Sequence, residues 1–108
     1  MEHINKVTLQ GCVGTTRINT IGVDKVLNFT LRTDQHMLDD KGTPRMETAW
    51  HNVVVCDSIA GCDVEGICKG DVVKVEGRLR SNRYTSMEGE TKTFTEVVAH
   101  KFEVIDSI

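Results

Sequence analysis

Arg78, Arg80, Arg83 and Tyr84 fall within one short stretch, VEGRLRSNRY. A guanidinium binds phosphate oxygens through a planar fork of donors, and a phenol ring offers a flat apolar face. Together they suit a polyanion that also carries flat rings, which is the chemistry of single-stranded nucleic acid. Arginines on an exposed strand are otherwise an ordinary solvated surface. The elements that aim these side chains therefore decide the matter.

Side chains of a strand alternate between faces. Over Val72 to Tyr84 the alternation sends Val73, Val75, Gly77 and Leu79 to the core, and Lys74, Glu76, Arg78, Arg80 and Tyr84 outward together. The segment holds four cations against one acid, although the 108-residue chain has a formal net charge of -3. The segment from Asp57 to Asp71 is its opposite, with four acids and one lysine. Segregated charge lets an acidic protein present a basic face to a polyanion.

Trp50 is the one tryptophan. It shares parity with Asn52, Val54 and Cys56, so its face is not wholly apolar; it reads equally as a core anchor or a stacking ring. His51 reads as a core or interface histidine. No Ser-His-Asp group, paired carboxylate site or phosphate-cradling glycine loop is evident. His3, His36, His51 and His100 are scattered, and Cys56, Cys62 and Cys68 lack zinc-site spacing. The sequence thus supports neither an enzyme nor a metal or cofactor site.

The stretches around these residues read as strands rich in valine, threonine and isoleucine. Ile4 to Gly11 alternates, Gly11 and Gly14 suggest a bulge or bend, and TTRINT continues the strand. Val26 to Arg32 alternates again. Thr33 to Thr48 is polar and reads as a long loop or a protruding hairpin turning at DDKG. Ala49 to Cys56 is the most buried-looking strand. Asp57 to Cys68 loses the alternation and reads as a short, poor helix weakened by two glycines. The strand from Val72 turns at SMEGE into Lys92 to Ala99, and Phe102, Val104 and Ile105 make a short final strand. Five strands with a helix between the third and fourth predict an all-β, five-stranded oligonucleotide-binding (OB) barrel, residues 1–108 forming one domain. A β-sandwich is the runner-up.

No apolar run reaches the roughly 18 residues of a membrane span, and no signal peptide is apparent. A cytoplasmic, nucleoid-associated address follows, with the four cysteines as free thiols.

The stretches NKVTLQGCVG, VLNFTLRT, ETAWHNVVVC, KGDVVKVEGRLRSNRY and TEVVAHKFEVID resemble the bacterial single-stranded DNA-binding protein (SSB) family, in its order and spacing. The resemblance implies an OB fold assembled as a homotetramer, a dimer of dimers, that wraps single-stranded DNA in replication, recombination and repair without strong sequence preference and without a cofactor. It puts base-stacking positions at His36, Trp50, Cys56 and Tyr84, of which Cys56 has no ring, and phosphate contacts at Lys6, Lys69 and Arg83; parity adds Lys74, Arg78 and Arg80. The family's acidic C-terminal tip is not apparent, so a tail-less member is expected. The alternative is an OB-fold adaptor similar to primosomal replication protein N.

Overall fold

Leu27, Phe29 and Leu31 need a dry face, while Asn28, Thr30 and Arg32 need water. An extended chain satisfies both at once. The computed structural model, which describes residues 1–60 and 64–107, resolves this alternation into five strands. They are β1 (Val7–Ile21), β2 (Asp24–Leu38), β3 (Pro44–Cys56), β4 (Val72–Thr85) and β5 (Thr91–Asp106). They close into a barrel in the order β1-β2-β3-β5-β4. Every pairing is antiparallel except β3 with β5.

The barrel interior is filled by Leu27, Leu31, Val53, Val55, Val73 and Val75, all essentially inaccessible to water. Each such side chain contributes about 1.5–3 kcal/mol on burial. Phe29 and Phe102 meet edge to face across the core with ring centroids 6.0 Å apart, the geometry that aromatic quadrupoles favour.

Between β3 and β4, within the span of the expected helix, the described residues form a four-residue helix, α1 (Asp57–Ala60), and a 3-10 turn at Val64–Gly66. Cys62 and Asp63, in the middle of the expected helix, lie outside the described residues. Val64 and Ile67 are buried in the core cluster, so the connection contributes core side chains.

Among the described residues, three register shifts interrupt the ladders, at Val13/Thr16, Glu76/Gly77 and Val72/Val73, and the first two reset the alternation around the core. The β1–β2 register shifts between Val13 and Thr16. Before the shift, Val13 faces the core; after it, Thr16 lies opposite core-facing Phe29, and Arg17 lies opposite Asn28 on the outer face. The unpaired Thr15 amide donates to Thr30 Oγ1 at 3.0 Å. The glycine pair had signalled this bulge. On β5 the register against β4 shifts between Glu76 and Gly77, with His100 as the extra residue. Val97 and Ala99 are buried before it and Phe102 packs on the core after it. A bulge therefore joins what the sequence separated: the expected short final strand is the continuation of β5.

The β2–β3 and β4–β5 hairpins extend past the barrel. The polar stretch from Thr33 to Thr48 forms paired arms, matched from Thr33–Ala49 out to Leu38–Pro44. Its turn is organised by Asp39, whose carboxylate accepts the Lys41 and Thr43 amides at 2.9 and 2.8 Å and the Arg45 Nε at 3.0 Å. The β4–β5 hairpin turns at Ser86–Glu90, where Gly89 adopts φ 84°, a conformation that costs a side-chain-bearing residue about 1 kcal/mol or more. Leu79, expected in the core, is 48% exposed. Its parity is that of Val75 and it pairs with buried Val97, but β4 pairs with β1 only as far as Gly77, so Leu79 lies on an edge open to water. The Asn5 amide binds the Leu79 backbone on both sides at 2.9 Å, standing in for a neighbouring strand.

Candidate nucleic-acid interface

The outer face of β2 and β3 presents His36, Arg32, Thr30 and Asn28 alongside Trp50, Asn52, Val54 and Cys56. Arg32 pairs with Trp50, Thr30 with Asn52, Asn28 with Val54, and His36 with Met46. Trp50 is 59% exposed, which excludes the core-anchor reading. Its ring lies over the bulge of β1: a Cβ added to Gly14 would sit 2.7 Å from Trp50 Cζ3. Glycine is required there because the indole occupies the place of a side chain. Thr30 lies beneath the same point. One edge of the ring is thus seated against the barrel, with much of its surface in water. His51, on the opposite parity, is half-buried, with Nε2 2.9 Å from Thr33 Oγ1.

The β4–β5 ribbon carries a second ring group. Tyr84 is 49% exposed, and its ring lies 5.9 Å from that of Phe94, tilted by 59°. The register pairs Asn82 with Phe94 and Tyr84 with Lys92, so the two rings are diagonal neighbours on one face. Arg80 follows on that face opposite Glu96. Glu96, buried to 5% exposure, accepts from the Arg80 guanidinium and from the Asn82 amide. These donors offset the water that so enclosed a carboxylate gives up.

The expected cations fall into distinct settings. Arg78 is exposed on the outer face beside Arg80, and no ion pair engages it among the described residues. Arg80 itself is held by Glu96. Arg83 is exposed but on the opposite face of the ribbon from Tyr84, as alternation requires. Lys69 is exposed in a turn tied to β1 just before the bulge: the Gly70 amide donates to the Val13 carbonyl and the Val13 amide to the Asp71 carbonyl, both at 2.8 Å. Lys74 lines a separate shallow groove with Glu76, Lys101 and Phe102. Lys6 makes an ion pair with Glu76 at 3.4 Å. Partial desolvation raises the Glu76 pKa, but Lys6, Lys101 and His100 together outweigh it and hold the carboxyl below its ordinary range.

The structure therefore brings His36 and Trp50 to one sheet face and Tyr84 to the adjoining ribbon. A small groove of about 180 Å³ runs from Trp50 past Asn52 to Leu79 and Thr95, which have the opposite parity on the ribbon to Tyr84 and Phe94. Lys6 and Lys74 are not among the residues lining it. Arg17 and Phe94 escaped the sequence reading. Arg17 is aimed outward by the β1 bulge, whose exact place alternation does not give. Phe94 was accessible in principle: once the turn is at SMEGE, pairing back from Tyr84 puts it on the tyrosine's face.

Metal ligation has little support. Among the described residues, Asp24, Cys56 and Asp57 bring ligand-type atoms within 4.8 Å of one another. However, Asp57 Oδ1 accepts the Lys25 amide at 3.2 Å and Cys56 Sγ lies 3.2 Å from Ser58 Oγ.

The family model described as the single-strand binding protein family matches residues 4–105. The chain belongs to that family. Among its members, single-stranded DNA-binding protein of Xanthomonas campestris is 32% identical over 105 residues, covering 94% of this chain and 60% of the relative. Single-stranded DNA-binding protein 1 of Xylella fastidiosa is also 32% identical, over 97% of this chain and 79% of the relative. The chain thus spans about three-fifths of the Xanthomonas protein's length. Among solved structures, the Plasmodium falciparum SSB complex with ssDNA superposes with a TM-score of 0.83 at 29% identity, covering 100% of this chain and 98% of the other. A deletion mutant of the Thermus aquaticus single-stranded DNA binding protein shares the fold, with a TM-score of 0.80 at 24% identity over 96% of this chain and 51% of that one. The OB barrel expected from the strand order is the family's fold.

Proposed function

We propose that this chain binds single-stranded DNA without strong sequence preference, protecting it during replication, recombination and repair. The observation that carries this reading is Trp50. Its indole is seated on the outer sheet face by the Cζ3–Cη2 edge, against Gly14, and more than half of the residue is open to water. An exposed ring of this kind offers a base a stacking partner worth about 1–3 kcal/mol. Membership of the family and the likeness to a complex with ssDNA support it.

Tyr84 and His36 extend the stacking surface. Arg78, Arg83 and Lys69, exposed and without ion pairs among the described residues, supply phosphate contacts. Lys6, Lys74 and Arg80 contribute less in the free protein, two of them because acids already hold them. The absence of a ring at Cys56 lowers affinity relative to a four-ring platform. No residue acts as a catalyst, and the assembly is a homotetramer; light scattering that returned the mass of a single chain would overturn the latter.

The reading is tested by equilibrium binding of oligo-dT and of a duplex of equal length. Tight binding of the single strand, weakening as salt rises, is expected. Equal affinity for the duplex, or no binding to either, would overturn it and favour an adaptor role.

A further inference from the structure

Of the chain's three phenylalanines, Phe29 and Phe102 serve the core. Phe94 does not. It stands on the outer face of the β4–β5 ribbon, 37% exposed, against Tyr84. It also forms one wall of a groove of about 410 Å³, whose other residues come mainly from β1, β2 and β3. Thr15, Arg17, Asn28, Thr30 and Asn52 line that groove with it, as does Glu96, whose carboxylate already accepts from Arg80 and Asn82.

These walls are chemically unlike. One is an aromatic face. The other carries hydroxyls and amides, which pair with base edges, and a guanidinium. Arg17 makes no ion pair among the described residues, whereas Arg80, on the ribbon's own side, is neutralised by Glu96. The cation available to a phosphate in this groove is therefore Arg17. The tilt between Tyr84 and Phe94 means that a single flat base cannot cover both rings. Each ring presents its own face.

We propose that this groove is a nucleotide subsite in which a base stacks on Phe94 while Arg17 holds the adjoining phosphate. This inference rests on the proposed single-strand binding and assigns to Phe94 a contact separate from that of Tyr84. The subsite offers an aromatic contact on a platform that has no ring at Cys56.

The test uses the full chain with oligo-dT. Phe94→Leu keeps an apolar side chain against Tyr84 and should weaken binding about ten-fold, the loss of one stacked base. To separate a direct contact from an effect through Tyr84, Phe94→Trp is made in a Trp50→Phe background, so that the only indole lies in the groove. Its fluorescence should be quenched by oligo-dT, and Arg17→Gln should reduce the salt dependence of binding. If the unaltered protein binds oligo-dT but Phe94→Leu changes affinity less than two-fold, or the groove indole is not quenched, the subsite is overturned and the broader reading stands. If the unaltered protein does not bind oligo-dT, the broader reading fails and this inference with it.

Discussion

Trp50 and Tyr84 are both exposed rings, yet they are held in opposite ways. Trp50 lies on the closed barrel. Its indole rests on Gly14, and the strands beneath it are anchored by a core of buried leucines and valines. Tyr84 stands on a two-stranded ribbon that has left the barrel, and its position depends on Phe94 and on the Arg80–Glu96–Asn82 cluster. The ring on the barrel derives its order from the global fold. The ring on the ribbon derives it from local pairs. A two-stranded ribbon is only marginally stable alone, so the second region should yield to perturbations that leave the first intact.

The largest expected effect removes the distinction altogether. Leu27→Ala opens a cavity under β2 and should destabilise the protein by about 2–5 kcal/mol, disordering both regions together in a urea titration followed by Trp50 emission. If the ribbon outlasted the barrel, their order of dependence would be reversed.

Next come the rings themselves. Trp50→Ala should weaken oligo-dT binding by about 1–3 kcal/mol with little change in the urea midpoint, since the indole is mostly in solvent. Tyr84→Ala should cost a similar affinity and also loosen Phe94, visible as faster amide exchange over the ribbon. Equal exchange in both variants would contradict the contrast.

A subtler effect concerns Arg80. In Glu96→Gln the guanidinium loses its charged partner and can turn to a phosphate. The slope of log affinity against log salt should steepen by about 0.7, the value for one added contact on a single strand, while the ribbon loses about 1–3 kcal/mol of local stability. An unchanged slope would mean that Arg80 does not reach DNA even when released.

The smallest effect lies at the tip of the β2–β3 arms. The Thr43 amide, then the Arg45 side chain, hold the Asp39 pKa below its ordinary value of 3.8. A carboxyl with a depressed folded pKa stabilises the turn above that ordinary value and ceases to as pH falls through the folded one. The amide signals of Lys41 and Thr43 should therefore shift in acid before those of the barrel, and Asp39→Asn should abolish the early shift.

How much of this was legible in the sequence divides along the same line. Alternation over Leu27 to Leu31 and Val73 to Val75 gave the barrel's core, because buried faces enforce a period of two. The motif around Trp50 gave its place on β3. What alternation did not carry was anything set by a bulge or by departure from the barrel. Leu79 keeps the core parity, but β4 has lost its β1 neighbour at that point. Phe102 joins the interior only because His100 resets the period. Arg17 faces outward for the same kind of reason. Charge counting likewise showed a basic strand over Val72 to Tyr84, but not that Glu96, from a neighbouring strand, would neutralise Arg80. Those facts belong to strand pairing, which a single segment does not contain.

The central claim is that the ring seated on Gly14 is a stacking surface for single-stranded DNA. Quenching of Trp50 fluorescence by oligo-dT across a salt series tests it most directly. The account predicts strong, saturable quenching, with an affinity that falls as salt rises while the quenching at saturation stays the same. Binding that left the Trp50 emission unchanged would contradict it.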